Sequence, residues 1–128
     1  MSTMSYGSDK YKEQAVVTMT QGELLVRLYD ETLNRLARAE VALKVEKYDV
    51  FEESINRVVA IVNYLMSTLD GAYDISGNLM LLYEYFGYML ARIKIGRNVS
   101  LIDELKPMLE ELRDAFKTAS MTVEEAAL

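Results

Sequence analysis

Apolar residues recur with the period of an α-helix through most of this chain. Leu25, Leu28, Tyr29, Thr32, Leu36, Ala39 and Leu43 share one face at i, i+3, i+4 spacing. Arg27, Asp30, Asn34 and Arg38 share the opposite one, so this first helix is amphipathic. Thr20-Gln21-Gly22-Glu23 marks its start as a capping box: the Thr20 hydroxyl satisfies the free N–H of Glu23, and the Glu23 carboxylate reaches back. A second helix opens at Asp49-Val50-Phe51-Glu52 and buries Phe51, Ile55, Val58, Val59, Val62, Met66 and Leu69. Ile61 and Tyr64 fall away from that face, and Asp70-Gly71 supplies the stop. A fourth segment is capped by Ser100, carries Asp103 in its first turn, and buries Leu101, Leu105, Met108, Leu112 and Phe116. Pro107 sits inside that stripe, which predicts a kink there or a helix that begins near it.

The third helix, over residues 76–95, breaks the pattern. With Ser76 as its cap and Gly96 as its end, it places Leu79, Leu82, Tyr83, Phe86, Leu90 and Ile93 on one side. Leu81, Tyr85, Tyr88 and Ile95 fall on nearly the opposite side, with only Glu84 and Arg92 among them. A soluble helix apolar on two faces is surrounded by neighbours, forms a homodimer, or presents a groove to another chain. Tyrosine favours the last two, because its ring supplies apolar area while its hydroxyl needs water or a partner. Tyr64, Tyr85 and Tyr88 are therefore better interface residues than core residues.

The connections are short and nothing alternates with period two, so the fold class is all-α: an antiparallel up-down four-helix bundle. Residues 1–19 form an N-terminal arm or short helix that can pack over the bundle, 20–119 the bundle, and 120–128 a flexible tail. The arm carries Tyr6, Tyr11, Val16 and Val17, more apolar than a simple tail requires.

Composition narrows the chemistry. The chain has 128 residues, 51% of them hydrophobic, enough for one domain with a real core. A net charge of −6 argues against tracking nucleic-acid phosphates or anionic lipid. No signal-peptide pattern or membrane-length apolar run appears, so a cytoplasmic protein without stable membrane insertion is expected. The absence of Cys and His removes thiolate nucleophiles, the commonest general base and the usual metal ligands. It also removes the Glu-x-x-His di-iron site that some helical bundles carry. Adjacent acidic pairs such as Glu52-Glu53 and Glu110-Glu111 diverge by about 100° on a helix and converge on no substrate. No enzyme, cofactor or metal site is expected.

Specific strings then carry a family resemblance. Tyr11-x-x-Gln14-x-x-Val17-x-x-Thr20-x-Gly22-Glu23-Leu24, followed by Leu28-Tyr29-Asp30, resembles the start of the flagellin export chaperone family, FliS. Ile61-x-x-x-Leu65 with Leu69-Asp70, then Ile75-Ser76-x-Asn78-Leu79-x-x-Leu82-Tyr83-x-Tyr85, is similar to its second and third helices. Leu109-x-x-Leu112-Arg113-Asp114-Ala115-Phe116 is similar to its C-terminal helix. The order and spacing hold from about Tyr11 to Phe116. Departures are Gln21 where the family usually has Pro, Phe116 where it has Trp, Ile93-Lys94 where it has Ala-Asn, and Pro107.

The resemblance implies a cytoplasmic, non-enzymatic bundle that binds the disordered C-terminal segment of flagellin and prevents premature polymerisation. It also implies delivery to the flagellar type III export gate, with other flagellar regulators as further partners. An N-terminal segment, here around Tyr6, Tyr11, Gln14 and Val17, would fold over the apolar site when flagellin is absent. The expected client groove runs over Ile61, Tyr64, Leu81, Tyr85, Tyr88 and Ile95. Asn56, Asn63 and Asn78 would supply hydrogen bonds to the client backbone. The alternative is a homodimeric structural or adaptor bundle that uses the third-helix stripe.

Overall fold

The computed structural model describes residues 20–69 and 74–127, with side-chain surroundings given for 20–69 and 76–119. Four helices make it up: α1 (Gln21–Lys44), α2 (Tyr48–Ser67), α3 (Asp74–Gly96) and α4 (Val99–Ala127). No strand occurs among the described residues. The arm residues Tyr6, Tyr11, Gln14 and Val17 and the Asp70-Gly71 stop lie outside them.

Only the first of the expected N-caps stands where the sequence pattern puts it. The Glu23 N–H donates to Thr20 Oγ1 at 3.2 Å, which satisfies one of the free donors at the start of α1. At α2 the helix begins at Tyr48 with Lys47 as the uncapped preceding residue, so Asp49 lies in the first turn rather than before it. There its charge still favours the positive end of the helix dipole. Ser76 is not a cap either, because α3 begins at Asp74 and Ser76 lies buried within the helix. Asn98 takes the role expected of Ser100. Its Oδ1 accepts from the Ser100 N–H at 3.1 Å and the Ser100 hydroxyl at 2.6 Å. An Asn serves as well as a Ser at an N-cap, and the helix starts at Val99, two residues earlier than a Ser100 cap requires.

The reversals are tight. After α1, Glu46 adopts φ 59°, and the N–H groups of Glu46 and Lys47 donate back to Leu43 and Ala42 at 3.2 and 2.8 Å. This is a Schellman motif with Glu where Gly is usual. Gly96 is the last residue of α3, and the left-handed position is Arg97 at φ 48°. The Arg97 guanidinium lies 3.6 Å from the centroid of the Tyr48 ring, a cation–π contact tying the two turns at that end of the bundle.

α4 runs unbroken through Pro107, so the helix does not begin there. Pro107 has no N–H to give the Asp103 carbonyl, and its exposed position leaves that carbonyl accessible to water. The helix also continues past Ala119 to Ala127, in place of the expected tail. The Glu and Ala residues of that segment are good helix formers, and no Gly or Pro interrupts it.

α1 packs against α2 and α4, and α3 packs against the same two helices, so the four stand in a square. Three-residue and two-residue turns join α1 to α2 and α3 to α4, which makes those pairs antiparallel. α1 and α4 are antiparallel as well. Asp30 pairs with Arg113 at 3.3 Å and Glu40 with Lys106 at 3.1 Å, so numbers rise on one helix as they fall on the other. The core between them includes Leu36, Phe51, Ile55, Val58, Phe86, Leu90, Ile102 and Leu105. Across its diagonal the hydroxyls of Tyr29 on α1 and Tyr83 on α3 hydrogen-bond to each other. The Tyr29 ring also stacks on Phe116 at 5.7 Å. Burial pushes the ionisation of both phenols above the ordinary tyrosine range.

Candidate functional site

α3 carries its two apolar stripes to opposite fates. Tyr83, Phe86, Met89, Leu90 and Ile93 enter the core, while Leu79 and Leu82 at its margin are half-buried. On the outer face Leu81 is 67% exposed, Tyr85 38%, Tyr88 60% and Ile95 87%. α3 is therefore not a central helix, since its neighbours α2 and α4 both lie on the core side. From Leu81 to Ile95 the stripe is about 21 Å long at 1.5 Å per residue. Asn78, exposed, lies on the same face one turn before Leu81. Within the stripe the Arg92 guanidinium lies 5.6 Å from the centroid of the Tyr88 ring, so its charge rests over an aromatic face.

Ile61 and Tyr64 do not join that stripe. Ile61, expected to point away from the core, is only 4% exposed. The 100° helical spacing puts it within about 60° of Val58 at the centre of the buried face, so the bundle takes it in. It lies instead on the floor of an open cavity of about 860 Å³ between α1 and α2, with Tyr64, which is exposed, on the wall. Val59 and Met66, on the other flank of α2, lie at least about 140° around the helix axis from Tyr64. The groove expected as one surface is therefore two: a convex stripe along α3 and a cavity between α1 and α2. Asn56 and Asn63 are both exposed on α2 and point away from the core.

The pattern of α1 by itself is that of a plain amphipathic helix, and it does not announce the cavity. Leu24, Leu28, Glu31 and Arg35 recur at i, i+4, i+7, i+11 along one edge of that helix, the signal that marks a shared wall. Arg27, Asp30 and Asn34 complete the α1 side, and Arg57 and Ala60 the α2 side. Its carboxylates are engaged: Glu31 accepts from Arg35 Nε at 2.9 Å, and Asp30 faces Arg113 of α4. Arg113 is shared with Asp114, 3.1 Å away. Among the described residues no group of three Asp, Glu, His or Cys gathers as a metal site, and no helix is long and apolar enough to cross a membrane.

Comparison with known proteins agrees with the strings in the sequence. The family model described as "Flagellar protein FliS" matches residues 4–123. A relative named flagellar secretion chaperone FliS, from Bacillus subtilis (strain 168), is 26% identical over 109 residues, 85% of this chain and 82% of the relative. The protein of the same name from Escherichia coli (strain K12) is 26% identical over 113 residues, covering 86% of this chain and 83% of its own length. A flagellar secretion chaperone FliSB from Pseudomonas aeruginosa is 30% identical over 95 residues, 73% of this chain and 75% of that one. With nearly its whole length matched and its helices packed as a four-helix bundle, this chain belongs to the flagellar protein FliS family.

Proposed function

We propose that this protein is a non-enzymatic, cytoplasmic export chaperone. It binds the disordered C-terminal segment of flagellin, keeps the subunit from polymerising early, and passes it to the flagellar type III export apparatus. The observation that carries this reading is the outer stripe of α3. A folded domain that leaves Leu81, Tyr85, Tyr88 and Ile95 open along one helix exposes an apolar strip that a partner is needed to cover. The names of its relatives, flagellar secretion chaperones, indicate the kind of partner.

The energetics suit a disordered client. Each of the four side chains contributes roughly 1.5–3 kcal/mol when fully buried. The client loses conformational entropy on ordering, which offsets several kcal/mol and demands a long contact path. Asn78 at the start of the stripe supplies an amide for the client backbone, with Asn56 and Asn63 on α2 as further candidates. Competition from the 1–19 arm, with Tyr6, Tyr11, Gln14 and Val17, would weaken client binding by the free energy needed to displace it, as the family resemblance implies.

The test is co-purification with full-length flagellin and with flagellin lacking its C-terminal segment. The full-length protein should be retained and the truncated one lost. Equal retention of both, or of neither, refutes the reading. A constitutive dimer by light scattering, with Tyr85 and Tyr88 at its interface, would identify the stripe as a homodimer face instead.

A further inference from the structure

We propose that α3 is a hinged strap. It lifts as one unit, from its N-terminal end, off a platform formed by α1, α2 and α4, and the rest of the chain stays folded. The contact of Tyr83 with Tyr29 is the latch, and the turn at Arg97-Asn98 is the pivot. The opening belongs to the free protein and does not depend on the chaperone reading.

The platform is held more firmly than the strap. α1 packs extensively on both α2 and α4, whereas α3 packs more sparingly on each of those two helices. The ion pairs that cross between helices, Asp30 with Arg113 and Glu40 with Lys106, both join α1 to α4. Lifting α3 therefore leaves the larger interfaces intact. Local opening falls on the element with the fewest buried contacts.

The strap is also weakened from within. Gly77 and Gly87 lie inside α3, neither has a positive φ, and a methyl group at either position would meet nothing within 4 Å. Neither close packing nor backbone geometry calls for glycine there. Relative to alanine, each glycine lowers the helical population by roughly two- to fivefold.

The two ends of α3 are attached differently. Toward the C-terminal end Met89, Leu90 and Ile93 are fully buried, and a two-residue turn leads into α4. The Arg97 guanidinium, 3.6 Å from the centroid of the Tyr48 ring, pins that turn to the start of α2. Toward the N-terminal end Leu79, Met80 and Leu82 are only half-buried. Tyr83 is held there through its hydroxyl by Tyr29, whose ring stacks on Phe116 of α4. Opening costs little of that hydrogen bond, because both hydroxyls then bond to water. An open strap uncovers Phe86 and Leu90. A partner spanning α3 and a neighbouring helix would favour the closed form, and one that takes the inner stripe the open form.

Native-state hydrogen exchange of the full chain, read amide by amide by NMR at a series of low urea concentrations, tests the opening. Amides of residues 79–86 should exchange at least about tenfold faster than the slowest amides of α1, α2 and α4. Their rates should also depend less on urea, because lifting one helix exposes less surface than global unfolding. Amides of residues 89–93 should exchange more slowly than those of 79–86. Gly87→Ala should slow exchange over 79–86 by about two- to fivefold. Tyr83→Phe should speed it by at least about fivefold, since only the open form then gives the Tyr29 hydroxyl a partner.

If residues 79–86 share both the rate and the urea dependence of the slowest amides elsewhere, the strap is overturned. Uniform exchange along α3 overturns the pivot, and no response to Gly87→Ala or to Tyr83→Phe overturns the loosening or the latch. The alanine variant removes no contact and should fold, so the test stands even if Tyr83→Phe loses helix by circular dichroism. No client is used, so flagellin co-purification and these readouts can fail separately.

Discussion

Phe86 and Tyr88 stand two residues apart on α3, both aromatic, yet one is 1% exposed and the other 60%. Nothing in their local sequence separates them, since each sits in a stripe of Leu, Tyr and Ile at the same helical spacing. Their difference lies in what the bundle puts opposite them. α2 and α4 both pack on the core side of α3, and no described helix packs on the outer side. An apolar stripe is therefore a demand for a partner, and only the assembled fold says whether that partner is internal. α1 is nearer the ordinary case, with one stripe that is buried and an outer face of Arg27, Asp30, Asn34 and Arg38 on which Val41 is the one large apolar side chain left exposed.

The inner stripe is the place to break this contrast most severely. Phe86→Ala should lower stability by about 3–5 kcal/mol, because the core loses a ring and keeps a cavity. Urea unfolding followed by circular dichroism gives the number, and a loss below about 1 kcal/mol would mean that the inner face is not packed as described.

Smaller effects come from the polar contact within that stripe. Tyr83→Phe strands the Tyr29 hydroxyl in the core and should cost about 1–3 kcal/mol, whereas Tyr29→Phe with Tyr83→Phe should be nearly neutral by comparison. The pair also gives a pH signature. Both phenols hold their protons to higher pH than the ordinary value of 10.0, which the unfolded chain approximates. Above that pH the unfolded state binds fewer protons than the native one, so stability falls as pH rises. Below it the contribution is fully present. Thermal unfolding should show a loss beginning near the ordinary tyrosine value of 10.0 in the parent, and the double phenylalanine variant should lose less.

The outer stripe should give the smallest stability change and the largest change in binding. Tyr85→Asp with Tyr88→Asp should leave unfolding within about 0.5 kcal/mol per site, because neither side chain is in the core. The same variant should lose the flagellin C-terminal segment in a pull-down. Unfolding of that variant would show instead that the stripe is part of the structure's own packing.

Much of the fold is legible in the sequence because periodicity is a local property with strong physical consequences. The four helices, the Thr20 cap and the inner stripes all follow from spacing. Boundaries are less legible where several residues compete for one role. Asn98 and Ser100 are two positions apart and either chemistry caps a helix, so the choice rests on which side chain reaches the free N–H. Asp49 and Ser76 are good cap types that lie inside helices, because packing carries α2 and α3 past them toward their N-termini. The segment after Ala119 holds helix formers without a clear apolar stripe, and the helix runs on through it.

The candidate site is legible in part. Leu81, Tyr85, Tyr88 and Ile95 are exposed, as their spacing on a two-faced helix suggests. Ile61 escapes the pattern because it lies at the margin of the α2 core face, where a shift of one neighbouring helix decides burial. The cavity with Arg27 and Arg57 cannot be found from one helix at a time, since its two walls lie about thirty residues apart in the chain.

By itself, the sequence determined the helices, the apolar stripes and the lack of Cys and His chemistry, because each depends on residue type and on neighbours within a few turns. Tertiary structure decided which α3 stripe meets water, that Ile61 is enclosed, and that two arginines overlook one cavity. Those outcomes depend on how helices are set against each other. That arrangement is governed by the summed packing of the whole core, which no single segment encodes.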